Sequence, residues 1–151
     1  MSYILELRKF VGHRPLISVG SSVLILDSEN RVLLQHRTDT FNWGMIGGSS
    51  DLGESLEETA TREALEEAGV VVHNLEFLKV LSGREFFFEY PNGDQIYNVA
   101  AIFVARNWSG TPKADGLEGS EVKFFGLNEL PDFDSKLDTA ALEVLKKYLG
   151  H

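Results

Sequence analysis

The spacing of hydrophobic residues changes several times along the chain, and each change marks an element. At the N-terminus Ile4, Leu7, Phe10 and Val11 recur three and four apart, which predicts a short amphipathic helix within residues 1–12. The runs Val19–Asp27 and Arg31–Arg37 read as strands, and Ser28-Glu29-Asn30 between them predicts a hairpin. Residues 38–54, rich in Gly, Ser and Asp, read as a loop. From Ser55 the period becomes helical. Ser55-Leu56-Glu57-Glu58 has the pattern of a capping box, and Gly69 supplies a stop. Val70–Val80, Arg84–Tyr90 and Gln95–Arg106 then read as strands, with Pro91-Asn92-Gly93-Asp94 turning between the last two. Asn107–Gly119 reads as a loop and Val122–Gly126 as a last short strand. Leu137, Ala141, Leu142, Leu145 and Leu149 mark a closing helix over 136–149. Strands around one central helix, with helices at both ends, predict one α/β layered domain with a mixed β-sheet over 1–151.

Composition narrows the function classes. The chain has 151 residues, 43% of them hydrophobic, which is enough for one sizeable core. Its longest apolar runs, such as Val99–Ala105, are far too short to span a bilayer. The opening MSYILELRKF lacks the order of a signal peptide, so cytoplasm is the expected compartment. With no cysteine there is no disulfide and no thiol nucleophile. The net charge of −9 argues against a surface that grips duplex nucleic acid by its phosphates. It also means that phosphate chemistry here requires metal cations between two negative partners.

One stretch, GGSSDLGESLEETATREALEEAGV from Gly47 to Val70, is chemically unusual. Glu54, Glu57, Glu58, Glu63, Glu66 and Glu67 face a single cation, Arg62. At 100° per residue, Glu63, Glu66 and Glu67 share one helical face, with Ala60, Ala64 and Ala68 in a neighbouring stripe. Like charges at these spacings destabilise a helix, and a hard divalent cation with oxygen ligands would offset that. Gly47-Gly48 lets the backbone come close enough for a main-chain carbonyl to reach the same ion. An amide cradle for phosphate is the alternative use of a Gly-rich turn. It ranks lower, because Asp51, Glu54, Glu57 and Glu58 repel anions.

Gly48, Glu54 and Arg62-Glu63-Ala64-Leu65-Glu66-Glu67-Ala68-Gly69-Val70 stand at the spacing GX5EX7REUXEEXGU, where U is a bulky aliphatic. This resembles the box of the Nudix hydrolase family, with the small Ala64 at the first U position as its one soft departure. The resemblance implies a Nudix-type α/β/α sandwich. It also implies hydrolysis of a nucleoside diphosphate linked to another group, with Mg²⁺ or Mn²⁺. Carried over by position, Glu63, Glu66 and Glu67 are the implied metal ligands, together with the carbonyl of Gly47. Glu54 resembles the helix-proximal Glu beside the metals, and Arg62 the residue that orients the carboxylates. The general base varies within the family, among the box helix and a later loop. Glu118 therefore has two readings, a further ligand or base and a solvated loop acid, and Glu121 shares them.

Three further residues are candidates for substrate binding: Arg37 and Arg84 for phosphate, and Trp43 for the base. Phe41 and Tyr97 are further stacking candidates. The bland readings are solvated arginines and core aromatics, and packing is the reading for Phe86-Phe87-Phe88. His13, His36, His73 and His151 show no ligand spacing. Where ADP-ribose-type relatives carry a Pro after the box, this chain has Glu85-Phe86. Where dinucleoside-polyphosphate types carry a Tyr it has Phe87-Phe88, and the SQPWPFPxS array of NADH types is absent. By this resemblance the substrate is a MutT-like nucleoside triphosphate or another small nucleotide. A catalytically silent nucleotide-binding or regulatory domain is the alternative. The N-terminal helix has two uses open to it, covering the core or pairing with a second copy in a homodimer.

Overall fold

The computed structural model describes residues 2–151. Its elements run α1 (Tyr3–Val11), β1 (Leu16–Ile25), β2 (Val32–Arg37), β3 (Trp43–Gly44), β4 (Ile46–Ser49) and α2 (Leu56–Ala68). There follow β5 (Val71–His73), β6 (Glu76–Leu81), β7 (Phe87–Glu89), β8 (Gln95–Ala105), β9 (Asn107–Ser109), β10 (Gly119–Phe125) and α3 (Lys136–Tyr148). The central sheet has the order β4-β1-β8-β6, with β7 also on β8. It is mixed: β1 and β8 are parallel, while β4, β6 and β7 run antiparallel to their neighbours. A second sheet has the order β10-β2-β3, and β5 pairs with β9.

Alternation along β1 sorts the core into two layers. Val23 and Ile25 meet Ala60, Ala64 and Ala68 of α2, whose small side chains let the helix lie close to the sheet. Leu24 and Leu26 point the other way, into a cluster with Ala141, Leu142 and Leu145 of α3. The sheet is thus covered by one helix on each face, the layered α/β arrangement expected.

Several local expectations change. The Val19–Asp27 and Arg31–Arg37 strands meet at one bridge, Leu26 with Val32, and then part into different sheets. The Asp27 carboxylate closes their turn, accepting from the Glu29 and Arg31 amides at 2.9 Å each. The 38–54 loop contains β3 and β4, and the 107–119 loop contains β9. The run 70–80 breaks at Asn74, whose φ of 51° ends β5 before β6 starts. Arg84–Phe86 is a 3₁₀ turn leading into β7. No residue of the N-terminal helix belongs to either core cluster, so it does not cover the core.

Candidate active site

The box region folds as its sequence directs. Ser55 caps α2, its hydroxyl accepting from Glu58 N at 3.0 Å while Glu58 Oε1 accepts from Ser55 N at 3.0 Å. Gly69, at φ 69°, ends the helix in the left-handed conformation. Between these caps α2 turns Glu63 and Glu67 toward β4, where they are 7% and 1% exposed. Gly48 of β4 makes room for Glu63. A Cβ there would stand 2.6 Å from Glu63 Oε1, so the carboxylate would have to move.

Arg62 is the hub of one corner. Its Nε and Nη2 donate to the two oxygens of Glu54 at 2.6 and 3.0 Å. Nη1 donates to Glu63 at 2.8 Å and Glu66 at 3.2 Å, and Nη2 also donates to the Ser49 carbonyl at 3.0 Å. Glu54 accepts further from the Asp51 amide and the Thr59 hydroxyl, each at 2.9 Å. The Arg62 guanidinium beside it pulls the Glu54 carboxyl down to about 2. With its oxygens filled in this way, Glu54 braces Arg62.

The opposite corner is short of positive charge. Oxygens of Glu63, Glu67 and Glu118 lie within 4.8 Å of one another. Glu118 arrives from the segment before β10, which the Asp115 carboxylate shapes by accepting from the amides of Leu117, Glu118 and Gly119. Burial pushes Glu63 up to about 7 against the opposing pull of Arg62. Burial, then Glu63, then a hydrogen bond with Glu118 push Glu67 well above the usual carboxylate range. Three converging carboxylates, two of them buried, offer only hard oxygen donors and repel one another. That set fits a divalent cation of the Mg²⁺, Mn²⁺ or Ca²⁺ kind. Glu66 is not in the cluster: its side chain is 57% exposed, on the solvent flank with Arg62. Gly47 meets the cluster through its N–H, which donates to Glu67 Oε1 at 2.8 Å.

A cavity of about 330 Å³ opens on the cluster, lined by Glu63, Glu118, Gly48 and Arg37 and walled on one side by Ile4, Leu5 and Arg8 of α1. Helix α1 is held there by its Tyr3 amide on Asp51 at 3.2 Å and by the Arg8 guanidinium on the Gln95 carbonyl. An adjoining cavity of about 120 Å³ runs under α3 and is lined by Trp43, Phe88, Tyr90, Asn98 and Asp138. Trp43 stands edge-on to His36 and Phe125. Burial raises Asp138 to about 7, although its Oδ1 accepts from Met45 N.

Among the substrate candidates, Arg37 lines both cavities, with its fork on Asp39 at 2.9 and 2.7 Å. Arg84 lines neither, since the 3₁₀ turn leaves it exposed away from the cleft. Phe41 is likewise outside, 73% exposed, and Tyr97 packs on Phe87. Glu121 lies exposed in β10 opposite His36, apart from the cluster. Sequence reasoning passed over Asp138 and Gln35. Gln35 is fully buried, its Nε2 donating to Glu67 Oε2 at 2.9 Å and the Met45 carbonyl at 3.3 Å. Among the described residues its Oε1 has no partner, a deficit of about 1–3 kcal/mol for a buried acceptor. An amide inside the run Val32-Leu33-Leu34-Gln35 was the available signal.

The NUDIX domain family model matches residues 17–148. The chain belongs to the Nudix family. An oxidized purine nucleoside triphosphate hydrolase of Mus musculus is 32% identical to it over 136 residues, 85% of this chain and 81% of that one. An ADP-ribose pyrophosphatase of Methanocaldococcus jannaschii is 29% identical over 128 residues, 83% of this chain and 69% of that one. Among solved structures, a MutT NUDIX hydrolase from Burkholderia pseudomallei superposes with a TM-score of 0.73 at 27% identity. That match covers 87% of this chain and 98% of the other. The α1 wall of the cleft lies outside the part of this Nudix domain that the family model matches.

Proposed function

We propose that this Nudix domain is a metal-dependent pyrophosphohydrolase, and that its substrate is a nucleoside triphosphate or another small nucleotide. The convergence of Glu63, Glu67 and Glu118 beneath the larger cavity carries the reading. These three would hold Mg²⁺ or Mn²⁺, joined by Glu66 and the Gly47 carbonyl as the family resemblance implies. Such an ion, when bound, neutralises the diphosphate and lowers the pKa of an attacking water. Arg62 orients Glu63 and Glu66, and Glu54 holds Arg62 in place. Glu118, the exposed member of the cluster, would serve as a further ligand to that ion or take the proton from the water. Arg37 would meet the phosphates, which compete with Asp39 for its fork, and Trp43 and Asp138 would line the base pocket. Names of relatives that act on oxidized purine triphosphates and on ADP-ribose support a nucleotide substrate.

The test is release of phosphate or pyrophosphate from a nucleotide panel with and without Mg²⁺, for wild type and Glu67→Gln. Turnover that needs both metal and Glu67 is the expected result. Saturable binding with no turnover would move the reading to a silent regulatory domain. A homodimer is the partner arrangement we propose, supported by the exposed apolar face of Ile17, Val19, Val80, Phe87 and Tyr97. A monomer by light scattering at high micromolar concentration would remove it.

A further inference from the structure

We infer that Gln35 is the positioning residue for Glu67, fixing one edge of its carboxylate and tying the box helix to the loop that delivers Glu118. The inference rests on the reading of Glu67 as part of the metal site.

Position 35 lies in the fully buried run of β2, where Val32, Leu33 and Leu34 are the neighbours and a further Leu would suit the core. An amide there, with its oxygen unpaired among the described residues, weakens the fold relative to an apolar side chain. Its return lies outside the core, in the hydrogen bond to Glu67. The two oxygens of Glu67 each take one fixed donor: Oε1 the Gly47 amide, Oε2 the Gln35 amide. One donor on each oxygen fixes the carboxylate plane, and each oxygen keeps a lone pair for an ion.

The orientation of the amide follows from its surroundings. Both groups beside Nε2 are acceptors, the Glu67 carboxylate and the Met45 carbonyl, so the NH₂ end must face them. Oε1 is then turned against Gly119. A Cβ at Gly119 would stand 2.6 Å from that oxygen, so the position admits glycine alone without displacing Gln35. Gly119 directly follows Glu118 and opens β10, paired with Arg37 at the end of β2. The contact therefore places the backbone beside Glu118 against the residue that holds Glu67. Partners of this kind around metal ligands change metal affinity or activity by about 10–100-fold when removed.

The experiment titrates Mn²⁺ by electron paramagnetic resonance on the full chain, for wild type, Glu67→Gln, Gln35→Met and Gly119→Ala, with turnover measured alongside. Gln35→Met is expected to weaken Mn²⁺ binding and lower kcat by about 10–100-fold, with no loss of thermal stability. Gly119→Ala should shift both in the same direction, more mildly. In a Gln35→Met/Gly119→Ala double variant, Gly119→Ala should add less than it does alone, because it acts through Gln35. Unchanged Mn²⁺ affinity and kcat in folded Gln35→Met would overturn the inference. If Gln35→Met does not fold, Gly119→Ala decides alone, and a wild-type affinity there overturns it. Should Glu67→Gln itself leave Mn²⁺ binding intact, the metal-site reading fails instead.

Discussion

Glu54 and Glu67 belong to the same 23-residue box and have opposite fates. Glu54 accepts four hydrogen bonds, two from Arg62, and its carboxyl is held down at about 2. Glu67 accepts from two neutral donors, and burial drives it up. Arg62 decides the difference. It lies one turn from Glu66 and beside Glu63, but five residues before Glu67, about 140° around the helix at 100° per residue. One corner is a neutralised brace, and the other keeps a charge deficit. The motif thus puts its single cation into rigidity, touching the cluster only through Glu63, and leaves a carboxylate pocket where a divalent ion fits.

The sharpest way to break this contrast is Glu67→Gln. It should lower kcat by more than about 100-fold, beyond the upper end of what losing a partner around a metal ligand costs. The melting temperature should hold or rise, because a repelling buried carboxyl is gone. Breaking the brace comes next. Arg62→Ala should reduce kcat/KM by about 10–100-fold, and Arg62→Lys should recover little, since an ammonium cannot reproduce the fork on Glu54. A kcat/KM for Arg62→Lys near wild type would argue that charge alone suffices. Trp43→Ala, outside both corners, should raise KM about tenfold while sparing kcat, consistent with stacking worth about 1–3 kcal/mol per base.

A pH series sharpens the same comparison. Glu63 at about 7 binds its proton more tightly folded than unfolded, where 4.5 is the ordinary value. Stability it contributes is complete below pH 4.5 and is lost as pH rises through 7. Asp138, also at about 7, adds to the same slope. Glu54 works in reverse, its contribution lost as pH falls from 4.5 toward 2. The metal-free protein should therefore melt several degrees lower at pH 8 than at pH 5, and saturating Mg²⁺ should flatten that slope. A melting temperature indifferent to Mg²⁺ at pH 8 would count against the charge-deficit corner. Last, Arg84→Ala should leave kcat/KM within about twofold, as an exposed residue away from the cleft.

The box helix was legible almost residue by residue, because capping, stop and small-residue stripe are local signals. Strand pairing was not. The β1 and β2 segments look like a hairpin, yet β1 takes β8 as its long parallel partner across its whole length. Short strands such as β3, β5 and β9 carry too few residues for any period to show. Glu66 and Glu67 are adjacent and indistinguishable by type, and only packing against β4 buries one and exposes the other.

By itself, then, the sequence determined that α2 forms, where it starts and ends, and that it crowds like-charged carboxylates on one face, since these follow from spacing and charge within one helix. Which carboxylates meet was decided by the tertiary structure. Glu118 enters the cluster, Gln35 reaches Glu67 and α1 walls the cleft because chain segments far apart in sequence are folded together. No periodicity encodes such contacts: they depend on sheet register and on how closely glycine lets backbones approach.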